Sequence, residues 1–199
     1  KPALIDVWSG PGQHTNGVQG GRAIAALNAL IGAYDAPGGM LIPKKKGNKH
    51  LEVHPDETAK KTGSEPYLDG HDKLPYGHKS GNYTELFRRI AAGEGPYPCE
   101  FLMVMFQNPM MSVPGTHIVG EAFKKIPFTV VVDTMPSETV QMADIALPGT
   151  TYLERYDLNT HWVSWPVLGL RQPVVKPLFG QPAEYELVTL LGRKLDLND

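Results

Sequence analysis

Residues Phe101–Asp157, FLMVMFQNPMMSVPGTHIVGEAFKKIPFTVVVDTMPSETVQMADIALPGTTYLERYD, decide the fold. They contain three short apolar runs, FLMVMF, FTVVVD and DIALP, each continuous rather than alternating. Such runs suit parallel strands covered on both faces. Between the first two lies THIVGEAFKKI, which sets Ile118, Val119, Ala122, Phe123 and Ile126 on one helical face. Strand, loop, helix and strand make a βαβ unit, and its parallel connection demands a right-handed crossover. The polar segments QNPMMS and DTMPSET leave the carboxyl ends of neighbouring strands. In open α/β sheets that rim is where ligands bind, so the expected site starts there.

On the amino-terminal side, Ala3 to Trp8 reads as a first strand, and SGPGQHTNGVQGG follows it. A helix is expected from Arg22 to Ile31, with Ile24, Leu27 and Ile31 at helical spacing and APGG closing it. A glycine-rich turn between strand and helix can cradle phosphate, because helix-start N–H groups point outward at a positive dipole end. This one matches neither GxGxxG nor the Walker pattern and reads equally as a tight connection. From Pro43 to Asn82 the chain is polar and irregular, which marks an insertion, a lid or an interface. Four of the seven histidines fall there. His50 and His54, in HLEVH, have a zinc-like spacing, but Val53 and Pro55 disfavour a helix and the order is not HExxH. They read as solvated loop histidines, and the adjacent KKK run as a solvated turn.

Tyr83 to Ala92 restores a helix with Leu86, Phe87 and Ile90 inward, and GEGPYP breaks it. Cys99, at a strand entry, reads as a small buried hydrophobe. Beyond DIALP, the tryptophan- and proline-rich stretch reads as extended, wrapping chain. Ala183 to Leu195 reads as a final amphipathic helix carrying Leu187, Val188, Leu191 and Leu195. Asp144 reads either as the edge of a ligand site or as a turn or cap.

The expected architecture is a Rossmann-like parallel α/β sheet with helices on both faces, three-layer α/β/α, plus a long irregular loop. Residues 1–42 would supply the first strand, glycine-rich loop and helix, 43–82 an insertion, and 83–199 the βαβ lobe, all in one domain. The 199 residues suffice for a core, and 41% hydrophobic content lies outside the disordered range. A net charge of −2 gives no field to draw the molecule to nucleic acid or anionic lipid. No apolar run approaches the ~20 residues that span a bilayer. The single cysteine excludes an intrachain disulfide framework and a cysteine-rich zinc site. The chain lacks an initiator Met and starts almost inside a strand, so it looks like a piece of something longer and a missing signal peptide carries no weight.

Several ordered motifs resemble the molybdopterin oxidoreductases of the dimethyl sulfoxide reductase family. They are QHTNGVQGGRAIAALNALIGAYDAPGG, FQNPMMS, VVVDTMPSETVQMADIALPGTTYLERYD and LRQPVVKPLFGQPAEYELVTLLGRKL. The resemblance runs through nearly the whole chain, weakest across the polar loop, and is most similar to polysulfide, thiosulfate and related respiratory reductases.

The resemblance implies part of a catalytic subunit in which molybdenum or tungsten is held by two molybdopterin guanine dinucleotides. Gln13, with His14 and Thr15 beside it, would meet the pterin–phosphate end. Asn108 would contact the nucleotide from the strand-end loop. Asp133, followed by Thr134, would meet the guanine edge or ribose, since a carboxylate accepts hydrogen bonds from N–H and O–H groups. Arg155 would neutralise phosphate, and Glu184 matches an acidic position before the last helix. Each also has a plain reading: Asn108 and Asp133 as turn residues, Arg155 and Glu184 as a surface pair.

The family's cysteine-rich iron–sulfur segment, its metal-ligating side chain and its carboxyl-terminal domain are absent, so no catalytic or metal-ligating residue is expected here. The isolated chain should not turn over substrate. The implied partners are those missing domains, a membrane anchor subunit, and an electron-transfer subunit with iron–sulfur clusters. The periplasmic or outer membrane face is favoured over the cytoplasm. A stand-alone α/β module binding a guanine nucleotide without redox chemistry is the competing reading, and a metal hydrolase using the loop histidines ranks last.

Overall fold

The computed structural model describes residues 3–42, 66–73, 81–159 and 169–196. Its main elements are α1 (Gly17–Leu30), α2 (Tyr83–Ala92), β1 (Phe101–Met105), α3 (Thr116–Lys125), β2 (Phe128–Asp133), β3 (Ile145–Pro148), β4 (Asp157–Asn159), β5 (Gly169–Arg171) and α4 (Glu184–Lys194). The chain divides into two units, Lys1–Leu51 with Leu158–Leu170, and Glu52–Asp157 with Arg171–Asp199.

In the second unit the three apolar runs form the expected parallel sheet, in the order β1-β2-β3. Phe101 pairs with Phe128 and Met105 with Val132, while Asp133 pairs with Pro148. The alternation of side chains along a strand then sorts the two faces. Val104 and Val131 join Phe87 and Ile90 of α2 and Val119, Ala122 and Phe123 of α3 in one core. The Phe87 and Phe123 rings stack with centroids 5.7 Å apart. Val130 and Val132 point to the opposite face and are buried as well, which explains why the β2 run is continuously apolar. On that face Met105 lines a shallow apolar hollow with Glu184, Tyr185 and Val188 of α4.

The helices of this core have defined ends. Asn82 caps α2 by accepting the Glu85 N–H on its side-chain oxygen at 3.1 Å, and Gly93, at φ 73°, closes it. Lys124 and Lys125 end α3, where positive charge complements the helix dipole. The last helix runs Glu184–Lys194, one residue inside each expected end, with Ala183 as its N-cap, but Tyr185, Val188, Leu191 and Leu195 are exposed.

In the first unit, α1 starts at Gly17, five residues before the expected Arg22. Gly17 packs on the loop it closes: a Cβ there would lie 2.4 Å from the Gly12 carbonyl oxygen. The expected strand over Ala3–Trp8 carries no ladder. A side chain replaces it. The buried Asn28 amide accepts from the Ile5 N–H at 3.0 Å and donates to the Ile5 carbonyl at 2.7 Å. That exchange of two bonds with one residue is what a paired strand would have made.

His50, His54 and the lysine run lie outside the described residues, as does most of the tryptophan-rich segment. His71, another histidine of the polar segment, is only 13% exposed at its side chain. Its Nδ1 lies 2.7 Å from Asp69 Oδ1, and its ring packs on Tyr67 with centroids 4.2 Å apart. Asp69 also accepts the Asn82 N–H, so this carboxylate ties the end of the polar segment to the start of α2.

Candidate functional site

The carboxyl ends of the parallel strands gather the polar groups of the second unit. Asp133 ends β2 half-buried, with Oδ1 accepting the Thr134 N–H at 2.7 Å and Oδ2 accepting the Ser137 hydroxyl at 3.1 Å. A carboxylate has about four lone-pair positions, so this one retains acceptor capacity. Its backbone carbonyl accepts from Gly149 N–H at 2.9 Å. Gly149 is required by close approach, since a Cβ there would meet the Phe106 ring at 2.5 Å. Phe106 donates its N–H to the Val132 carbonyl and then turns the chain out of the strand at φ 52°.

Arg155 closes the same corner. Its guanidinium carbon sits 5.1 Å from the Phe106 ring centroid, and Nη1 donates to the Thr150 carbonyl at 3.1 Å. Nη2 is 3.8 Å from Glu184 Oε1 and 3.9 Å from Asp157 Oδ2, both looser than a direct hydrogen bond. Thr150 is 1% exposed, and its hydroxyl has no hydrogen-bond partner among the described residues. A buried orphan of that kind in a native site calls for a water or another bound group.

Beside this corner lies a closed network. Asn108 Oδ1 accepts from the Thr139 hydroxyl at 2.7 Å and from the Thr139 N–H at 3.3 Å. Asn108 Nδ2 donates to Glu138 Oε2 at 2.7 Å, and this bond leads the causes that hold the Glu138 carboxyl below its usual range. The Thr139 hydroxyl accepts in turn from the Met110 N–H at 3.2 Å.

Of the residues expected at the site, Asn108, Asp133, Thr134, Arg155 and Glu184 all belong to the second unit. Arg155 and Glu184 are brought together, and Thr134 meets Asp133 through its backbone. Gln13 and His14 belong to the first unit, exposed in the loop before α1. Asp144 lies at the opposite end of the sheet and takes the capping role. Its Oδ2 accepts the Thr129 N–H at 2.7 Å and the Thr129 hydroxyl at 2.9 Å, which lower its pKa. Burial pushes the Cys99 thiol up, in keeping with a packing role.

Sequence reading passed over Phe106, Ser137, Thr139, Gly149 and Thr150. The signal for some of them was local: Ser and Thr in MPSET can brace a strand-end turn, and a Gly directly after LP marks a close approach. Among the described residues no three His, Cys, Asp or Glu gather in a way that would hold a metal. None of the described helices is long and apolar enough to cross a membrane.

A family model described as molybdopterin oxidoreductase matches residues 1–192. The chain is 28% identical to a selenate reductase subunit of Mesobacillus selenatarsenatis over 224 residues, covering 96% of this chain and 21% of that protein. It is 26% identical to a tetrathionate reductase subunit of Salmonella typhimurium over 209 residues, covering 88% of this chain and 20% of that one. Among solved structures, acetylene hydratase from Pelobacter acetylenicus superposes with a TM-score of 0.52 at 28% identity. That match covers 59% of this chain and 16% of the other. The chain thus spans about a fifth of the length of these curated relatives.

Proposed function

We propose, for a chain that belongs to the molybdopterin oxidoreductase family, that it is the nucleotide-binding part of a catalytic subunit whose strand-end rim holds a molybdopterin guanine dinucleotide. One observation carries this reading. The rim of the parallel sheet joins a carboxylate with spare acceptor capacity, Asp133, to an arginine, Arg155, across Gly149 and the orphaned Thr150 hydroxyl. A nucleotide with a diphosphate needs that pairing: an acceptor for its base or ribose and a cation for its phosphates.

In this reading Asp133 accepts N–H or O–H groups of the guanine or ribose, and Thr134 lies exposed beside it. Arg155, seated on Phe106, neutralises phosphate, while Glu184 limits the guanidinium's swing from the side of α4. Gln13 and His14 of the first unit would serve the pterin–phosphate end. The bound metal–pterin group supplies the redox chemistry, and the protein supplies position and electrostatics. The metal, molybdenum or tungsten, would take its protein ligand from elsewhere in the full-length protein, as would an iron–sulfur cluster. Relatives are named for selenate, tetrathionate, sulfite and arsenate, which supports an inorganic oxyanion or sulfur compound as substrate in anaerobic respiration. Their naming as subunits supports further subunits in the assembly, which this reading takes to be an iron–sulfur electron-transfer partner and a membrane anchor.

Metal and pterin analysis of the protein from the complete reading frame tests this. The expected result is molybdenum or tungsten with about two pterins, and GMP released on hydrolysis. Asp133→Asn and Arg155→Ala should each lower the GMP yield about tenfold while the thermal midpoint stays within a few degrees. Full yield in both variants would overturn the site. Guanine nucleotide without metal or pterin would favour a stand-alone nucleotide module instead.

A further inference from the structure

Asn108 was expected to touch the nucleotide, yet its side chain is already engaged. Both lone pairs of Oδ1 are taken by Thr139, and one of the two Nδ2 hydrogens by Glu138. All these partners sit about thirty positions along the chain, in the turn that follows β2, whereas Asn108 follows β1. Three of the bonds between the two loops therefore run through one amide. Thr139 is fully buried and completes the chain of bonds by accepting from the Met110 N–H. Nearer β2 in the same turn, Ser137 donates to Asp133 Oδ2, and its oxygen also accepts the Val140 N–H at 3.5 Å. The turn that Asn108 fixes is thus the turn that aims the Asp133 carboxylate.

We propose that Asn108, Glu138 and Thr139 form a latch between the loops after β1 and β2, and that Asn108 acts as a positioning residue for Asp133 without contacting the cofactor. The inference rests on the functional reading above, because it assigns the latch to the same rim. The chemistry of the latch dictates its test. Asn108→Asp keeps both bonds from Thr139 but replaces the donor facing Glu138 with a second carboxylate, so two like charges meet. Adding Glu138→Gln removes that repulsion and returns a donor: the glutamine amide now donates to the carboxylate introduced at position 108, with the hydrogen bond reversed in direction.

The experiment uses the complete protein, with GMP released per polypeptide and hydrogen exchange at residues 110 and 137–142 as readouts. Asn108→Asp should lower GMP yield by about two- to tenfold and speed exchange in that turn, and Asn108→Asp with Glu138→Gln should restore both. Glu138→Gln alone, still facing the asparagine through its carbonyl oxygen, should leave both near wild type. A latch predicts that the second substitution repairs the first in both readouts. If Asn108 touched the nucleotide directly, the double variant would exchange normally yet remain short of GMP, and the proposal would fall. Normal GMP yield in Asn108→Asp despite fast exchange would also overturn it, by showing that the turn does not aim the site. A wild-type protein that releases no GMP removes the functional reading itself, and this inference with it, whatever the exchange rates.

Discussion

At the amino-terminal end of β2, the Asp144 carboxylate accepts both the N–H and the hydroxyl of Thr129, and the Asp144 N–H returns a bond to the same residue. At the carboxyl end, the Asp133 carboxylate accepts one backbone N–H and one serine hydroxyl from the turn it begins. Both aspartates lie beside strands of one parallel sheet, and both stood out in sequence. Their partners separate them. Asp144 closes a strand-to-strand joint, with its bonds directed into the neighbouring strand. Asp133 is braced by its own turn and keeps acceptor capacity, next to an arginine and an unpartnered threonine hydroxyl. The lesson is topological: the carboxyl end of every parallel strand opens on the same rim, so polar groups there converge, while those at the other end can serve the fold.

Three perturbations sharpen that contrast. The largest acts on what both ends share. Phe123 packs on Phe87 beneath β1 and β2, so Phe123→Ala should cost about 3–5 kcal/mol by denaturant titration of the complete protein. GMP yield should fall with it. Loss of stability at unchanged GMP yield would mean that the rim does not depend on this core. The next acts on one end alone. Asp144→Ala strips Thr129 of its acceptor and should lower the thermal midpoint by about 3 °C, with GMP yield unchanged. The sign with pH follows from the lowered pKa of Asp144. Its contribution is present above the ordinary carboxylate value of 3.8 and is lost as pH falls through the depressed one. A fall in GMP yield in Asp144→Ala comparable to that in Asp133→Asn would erase the contrast.

Much of the sheet was legible because burial on both faces writes itself into the sequence as an uninterrupted apolar run, as in FTVVVD. The helix α3 was legible for the complementary reason, a one-faced stripe that puts Val119, Ala122 and Phe123 into the core. Ala3–Trp8 has the composition of a strand but not the ladder, because its backbone partner is the amide of Asn28, far along the chain and on a helix. No local pattern announces that substitution. The site divides in the same way. Asp133 and Arg155 sit in recognisable motifs at positions that topology makes meaningful. Thr139 and Glu138 gain their meaning from Asn108 across the sheet's rim, a pairing that periodicity and motif spacing do not encode. His71, in the polar segment that the sequence left irregular, is likewise held by Asp69 and Tyr67 on the same short turn.

The smallest expected effect calibrates how much weight an ion pair that touches neither aspartate can carry. Glu85, in the first turn of α2, receives bonds from Arg88 at 2.8 Å and Arg89 at 2.9 Å, and it donates its N–H to the Asn82 cap. The Arg88 bonds, foremost, pull its pKa from 4.5 to about 2, against the opposing effect of partial burial. A depressed carboxylate contributes stability above the unfolded value, so the contribution is complete above pH 4.5 and disappears as pH falls toward 2. The group is partly exposed and Arg88 more so, which leaves solvent screening most of the interaction. Glu85→Gln should therefore shift the thermal midpoint by only about 1 °C at neutral pH, and that small difference should vanish on acidification. Because the bonds of Glu85 go to Asn82, Arg88 and Arg89 and to no residue of the proposed site, GMP yield should not respond at all. A shift as large as that of Asp144→Ala would mean that the start of α2, where Asp69 also grips Asn82, is a second joint of the fold rather than a solvated helix end.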